Sequence, residues 1–160
     1  MAISKLNLED SLNVEFILLA IHTDLVDYRL VYFLNRNLRL NLSRKTFDLD
    51  FVNSKGSFSV FEYIDEDNLL KWNLISNIYN HNFTRKSTNT NLFDSSNELI
   101  KKFNLLEEYE NVNYLLKIEN NENQVNLDDI IKEIKNIPQI ITLYNINKDL
   151  KNKEHLIFLY

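Results

Sequence analysis

The sequence predicts an α+β protein: a mainly antiparallel sheet of about five to seven strands carrying two main helices, loosely ferredoxin-like in layout. Three observations lead there. Short apolar or alternating runs recur along the chain (VEFILLAIHT, SFSVFEY, LLKWNLI, QIITLYNI), each the length of a strand. Two stretches instead repeat apolar residues at helical spacing, one opening near Asp24 and the other at Leu127. Each helical stretch stands between strands, so helices cross over at both ends of the chain.

Taken in order, Val14 to Thr23 reads as a mostly buried strand, because it is short, apolar and rich in branched side chains. The helix 24–37 follows, with Thr23 or Asp24 as its cap and acid in the first turn, where the helix dipole favours it. Phe47, Leu49 and Phe51 alternate onto one face, NSKG turns the chain with its only glycine, and SFSVFEY comes next. Phe47 to Tyr63 is therefore expected to be a hairpin. IDEDN turns into LLKWNLI, where Leu70, Trp72 and Leu74 share a face, completing a three-stranded meander.

The segment 81–97 is polar and is expected to be a mobile loop inside a single domain 1–160 rather than a linker. Leu99, Phe103 and Leu106 fit helical spacing, and the choice between helix and strand over 98–106 stays open. Val112, Tyr114, Leu116 and Ile118 alternate as a strand. In NLDDIIKEIKNIP, Asn126 is the N-cap, Asp128 and Asp129 occupy the first turn, Leu127, Ile130, Ile131 and Ile134 lie on the apolar stripe, and Pro138 ends the helix. QIITLYNI is the returning strand, and HLIFLY is a last strand or a short docked segment.

Composition narrows the function. A chain of 160 residues that is 44% hydrophobic, with ten Phe and eight Tyr, can build a core without cross-links and lies outside the range of disordered sequences. It has no cysteine, which excludes disulfides, thiolate chemistry and cysteine metal sites. MAISKLNLED lacks a secretory pattern and FILLAI is too short to span a bilayer, so the expectation is a cytoplasmic protein without a membrane partner. One glycine leaves neither a phosphate-cradling loop nor a dinucleotide fingerprint. The net charge of −5 argues against nonspecific nucleic-acid binding, which needs cations to neutralise phosphates.

Two constellations carry chemistry. His22, Asp24 and Asp27 stand where a strand meets a helix, and His22 there has the makings of a general base. The structural reading is that Asp24 caps the helix, Asp27 complements its dipole and His22 ends the strand; without a nucleophile, no catalytic residue is assigned. The histidines His22, His81 and His155 lack metal-ligand spacing, and Asp65, Glu66 and Asp67 lack the alternation of a calcium loop, so no metal or cofactor is expected.

The second constellation lies on the helix, where a 100° step puts Val26, Leu30, Phe33 and Leu34 on the core side and Tyr28, Arg29, Tyr32 and Arg36 on another. Arg36, Arg39, Arg44 and Lys45 follow within a run free of acid, a local reversal of the overall charge. Tyrosine and arginine are enriched at interfaces, since one brings apolar area with a polar handle and the other forks onto carboxylate or phosphate. The candidate partner-binding residues are therefore Tyr28, Arg29, Tyr32, Arg36, Arg39, Arg44 and Lys45.

The plain alternative has the tyrosines packed on the sheet edge and the arginines solubilising the helix. The functional reading is an adaptor or regulator that binds an acidic protein partner through helix 24–37 and segment 36–45; an acid-rich helix such as that of an acyl carrier protein suits it. An RNA backbone is the second partner, an enzyme with His22 as base the third reading, and self-association through a sheet edge a further use. Trp72 divides between core and interface anchor.

HTDLVDYRLVYFLNRNL, followed by a meander ending in WNLI and then LLEEYENVNYLLKI before a helix and QIITLYNI, resembles the bacterial IPExxVDY family over most of the chain. Val112 and Tyr114 match its signature and Glu108 fits with one extra spacer, whereas Glu107 replaces the proline and Asn113 the aspartate. The resemblance implies a small cytoplasmic bacterial protein and a strand, turn, strand course for LLEEYENVNYLL. It supplies no catalytic residue, because Asn113 cannot transfer a proton as a carboxylate does.

Overall fold

Phe16–Thr23 is apolar at consecutive positions and forms β1, a strand buried on both sides over Leu18 to Ile21. The computed structural model describes residues 16–50, 56–83, 99–120 and 125–146. After β1 come α1 (Asp27–Leu38), β2 (Ser43–Arg44), β3 (Leu49–Asp50), β4 (Ser57–Phe58), β5 (Val60–Asp65) and β6 (Leu70–Ser76). They are followed by β7 (Ile78–Phe83), β8 (Leu99–Asn104), a 3₁₀ turn at Glu107–Tyr109, β9 (Tyr114–Asn120), α2 (Leu127–Lys135) and β10 (Ile140–Asn145).

Six strands form one antiparallel sheet in the order β10-β1-β9-β6-β5-β2. β1, α1, β6, β9, α2 and β10 alone trace the split strand-helix-strand pair of a ferredoxin-like fold, with β10-β1-β9-β6 as its four strands. β5 and β2 widen that sheet, and the ribbons β3-β4 and β7-β8 are additions to it. The class is α+β, as the periodicities predict.

Alternation assigns the two faces. Leu19, Ile21, Trp72, Leu74, Leu116 and Ile118 point to the side where Leu30 and Leu34 of α1 and Ile130 and Ile134 of α2 close a core. Trp72 is a core residue, 5% exposed. Leu18, Ala20, Ile75 and Leu115 point to the other side and meet Phe58, Leu105 and Leu106. This second core explains why β9 reads as alternating yet is buried on both faces. Asn77 ties the layers together: its amide donates to the carbonyls of Tyr109 and Val112 at 2.9 Å and its Oδ1 accepts the Leu106 N–H at 2.8 Å.

Several expectations are corrected. The first helix begins at Asp27, not Asp24, because the Thr23 hydroxyl accepts the Leu25 N–H and donates to the Gln139 carbonyl, which bends the chain at Asp24 and delays the first helical turn until after the extended Val26. Neither Thr23 nor Asp24 caps it: Val26 holds the N-cap position without a side-chain bond. Phe47 is 83% exposed and stands outside any strand, while Leu49 is buried in β3. The edge of the meander is instead β2, a short polar strand of the kind that blunts sheet edges.

The predicted loop 81–97 begins too early, since His81–Phe83 belongs to β7 and pairs with Leu99–Lys101 of β8. That ladder also decides 98–106 in favour of strand over Leu99–Asn104. Residues 84–98, Phe51 and HLIFLY lie outside the described residues. The second helix matches its prediction, with Asn126 at the N-cap accepting the Asp128 N–H at 3.2 Å.

Candidate binding surface on the first helix

α1 buries Leu30, Val31 and Leu34 and turns Tyr28, Arg29, Tyr32 and Arg36 to solvent. Tyr28 is 68% and Tyr32 58% exposed, so the tyrosines do not pack on the sheet edge. Tyr32 is steadied by an edge-on contact with Phe33, the ring centroids 5.4 Å apart. Val26, expected on the core side, is exposed because it precedes the first helical turn.

The helix ends at Arg39, which adopts left-handed backbone (φ 57°) and donates its N–H to the Asn35 carbonyl. Such a position normally falls to Gly or Asn. It is held here by the Asn35 side chain, which donates to the Leu42 carbonyl at 3.1 Å and accepts the Leu42 N–H at 2.8 Å. That clamp sends the chain from α1 to β2 and exposes Arg39 at the corner.

The five cationic candidates fall into two groups. Arg29, Arg36 and Arg39 are exposed and form no ion pair with a carboxylate of the described residues. Arg44 and Lys45 are already engaged. Arg44 pairs with Asp48 and lies over the Phe61 ring, 5.5 Å from its centroid, while Lys45 Nζ sits 3.1 Å from Glu62 Oε2. They line a surface cleft of about 560 Å³ with Phe47, Glu62 and Ile64. Glu62 Oε2 also receives Asn73 at 3.2 Å and faces Lys71 at 3.4 Å. Burial pushes the Glu62 carboxyl up, but the bonds from Lys45 and Asn73 and the charge of Lys71 outweigh it and hold it below the usual range.

His22 has a different neighbourhood from the one its sequence suggests. Its Nδ1 is 2.7 Å from Asn113 Oδ1, and that oxygen also accepts the Thr23 N–H at 3.0 Å. Among the described residues neither Asp24 nor Asp27 is hydrogen-bonded to it. Next to Asn113, the Tyr114 hydroxyl donates to the Leu25 carbonyl at 3.0 Å. Burial, aided by the charge of Asp27, pushes that phenol up to about 12. Asn113 and Tyr114 thus close the junction between β1 and α1.

A second cleft, of about 300 Å³, is lined by Ile64, Leu69, Lys71 and Glu119 at the far end of β9, and His22 lines neither cleft. Among the described residues, no three His, Cys, Asp or Glu side chains gather as metal ligands do, and no helix is long and apolar enough to cross a membrane. Sequence reasoning missed Asn77 and the buried Lys117–Glu119 pair, and it weighed Asn113 only as a lost carboxylate. For the pair, two charged residues in an otherwise apolar β9 were the available signal.

What fold and surface define is an α+β sheet protein with an exposed Tyr/Arg helix. No protein-family model matches the chain, and neither a curated protein nor a solved structure shows significant similarity to it.

Proposed function

We propose that this protein is a non-enzymatic adaptor or regulator that takes an acidic protein partner on the solvent face of α1. One contrast carries the reading: Arg44, Lys45, Lys71 and Lys117 each meet a carboxylate, whereas Arg29, Arg36 and Arg39 meet none among the described residues. Exposed tyrosines beside arginines that meet no carboxylate of the described residues combine apolar area with charge, the mixture that interface centres favour. Arg44 and Lys45, already paired with Asp48 and Glu62, do not form the centre of this surface.

The working compartment in this reading is the cytoplasm, supported by the absence of cysteine. Descent from the IPExxVDY family belongs to the same proposal; its support is that Val112 and Tyr114 match the signature and that Tyr114 bonds to the Leu25 carbonyl at the β1-α1 junction that presents the helix.

Affinity capture with the parent chain and with Arg29→Glu/Arg36→Glu, before and after nuclease treatment, tests the reading. A defined acidic protein retained by the parent and lost by the variant, at equal thermal stability, is expected. Equal recovery by both chains overturns the surface. Loss of recovery on nuclease treatment favours RNA, and a concentration-dependent mass in sedimentation favours self-association along a sheet edge.

A further inference from the structure

Each residue of α1 turns the helix by about 100°, so Arg29, Tyr32 and Arg36, spaced i, i+3, i+7, fall on one narrow line along its crest. Arg29 and Arg36 stand two turns apart, about 10.5 Å along the axis. That repeat is the seam by which one helix meets another at a shallow crossing angle. An extended peptide repeats its same-face side chains every ~7 Å and does not match it.

Resting on the reading above, we infer that the partner presents an acidic α-helix laid lengthwise on α1. Carboxylates seven residues apart meet Arg29 and Arg36, and an apolar side chain between them covers Tyr32. Charge argues for the occupant: three exposed cations, Arg29, Arg36 and Arg39, lie along and just past one helix with no carboxylate paired to them among the described residues. A second copy does not supply this helix from the described residues. α1 against α1 sets arginine against arginine, and α2 interleaves Lys132 and Lys135 with Asp128, Asp129 and Glu133.

The probe is a fluorescein-labelled, lactam-stapled helical peptide with glutamate at i and i+7 and leucine at i+3, titrated against the full chain by anisotropy. Its control has the same composition with the glutamates at i and i+5, on opposite faces of the helix. Saturable binding of the first, with the control at least about tenfold weaker, is the expected result. Arg29→Glu/Arg36→Glu should lose the peptide while keeping the parent's circular dichroism and unfolding temperature. The same variant should recover a peptide carrying lysine in place of both glutamates.

Equal binding of the two registers overturns the helical seam and leaves the acidic-partner reading standing, because charge alone is then being read. Failure of both peptides and of polyglutamate overturns both. Binding of a single-stranded RNA oligonucleotide by a chain that ignores every acidic peptide also overturns both.

Discussion

A single amide oxygen, Asn113 Oδ1, lies 2.7 Å from His22 Nδ1 while accepting the Thr23 backbone N–H. Because the N–H identifies that atom as the acceptor, His22 Nδ1 must carry the hydrogen in this contact. Long-range ¹⁵N–¹H correlation spectra should show the Nδ1–H tautomer in the parent chain, and a mixture of tautomers in Asn113→Ala. The variant should lose about 2 kcal/mol in denaturant unfolding, since it strands the N–H of the buried Thr23. An Nε2–H tautomer in the parent would sink the assignment.

Tyr114 makes stability depend on alkaline pH. Its folded value of about 12 lies above the reference of 10.0, so the folded state holds the proton more tightly than the unfolded chain. The contribution is complete below about pH 10 and disappears as pH rises through about 12. Tyr114→Phe should remove that slope and cost about 1 kcal/mol at neutral pH through the lost bond to the Leu25 carbonyl. Unfolding midpoints measured across alkaline pH provide the check.

Glu62 gives the opposite dependence. Its folded carboxyl lies below the reference of 4.5, so its contribution is present above about pH 4.5 and is lost as pH falls through the lower folded value. Glu62→Gln should flatten the acid limb of the stability curve and cost about 1 kcal/mol at neutral pH, where Lys45 and Lys71 lose their shared partner. Identical acid limbs in parent and variant would refute this role.

Asn77 has no exposed surface and satisfies three backbone groups with one side chain. Asn77→Ala leaves the Leu106 N–H and two carbonyls without that partner and should cost about 3 kcal/mol or more. Asn77→Asp keeps the acceptor but not the donor and should recover only part of that loss. Chemical denaturation of the three chains measures the difference.

Lys117 and Glu119 are buried side by side, with Lys117 also 5.1 Å from the Phe16 ring centroid. Lys117→Met should destabilise the protein by about 3 kcal/mol, because it abandons a buried carboxylate. Adding Glu119→Leu should restore much of the loss, since two apolar side chains avoid the desolvation that the ion pair offsets. A double variant no more stable than the single one would show that the pair is needed in its own right.

What could be read directly was what depends on neighbours close in sequence. The cap at Asn126, the stripe of α2, the face shared by Leu70, Trp72 and Leu74 and the exposed line of Tyr28, Arg29, Tyr32 and Arg36 follow from periodicities of 3.6 and 2. The helix start was misplaced because Thr23 spends its hydroxyl on Gln139, a partner 116 residues away.

Sequence by itself thus determined the α+β class and the surface composition of α1, since amphipathic spacing is local. Tertiary structure alone decided which charges remain available on that surface. Arg44 and Lys45 look like part of a basic run until the fold brings Asp48 and Glu62 to them, and Lys117 looks like the solvent side of a strand until a second core closes near it. His22 sits among aspartates in the sequence, yet it is bound to Asn113, 91 residues on. Pairing across such separations depends on strand order and on which faces are covered, and no local repeat encodes either.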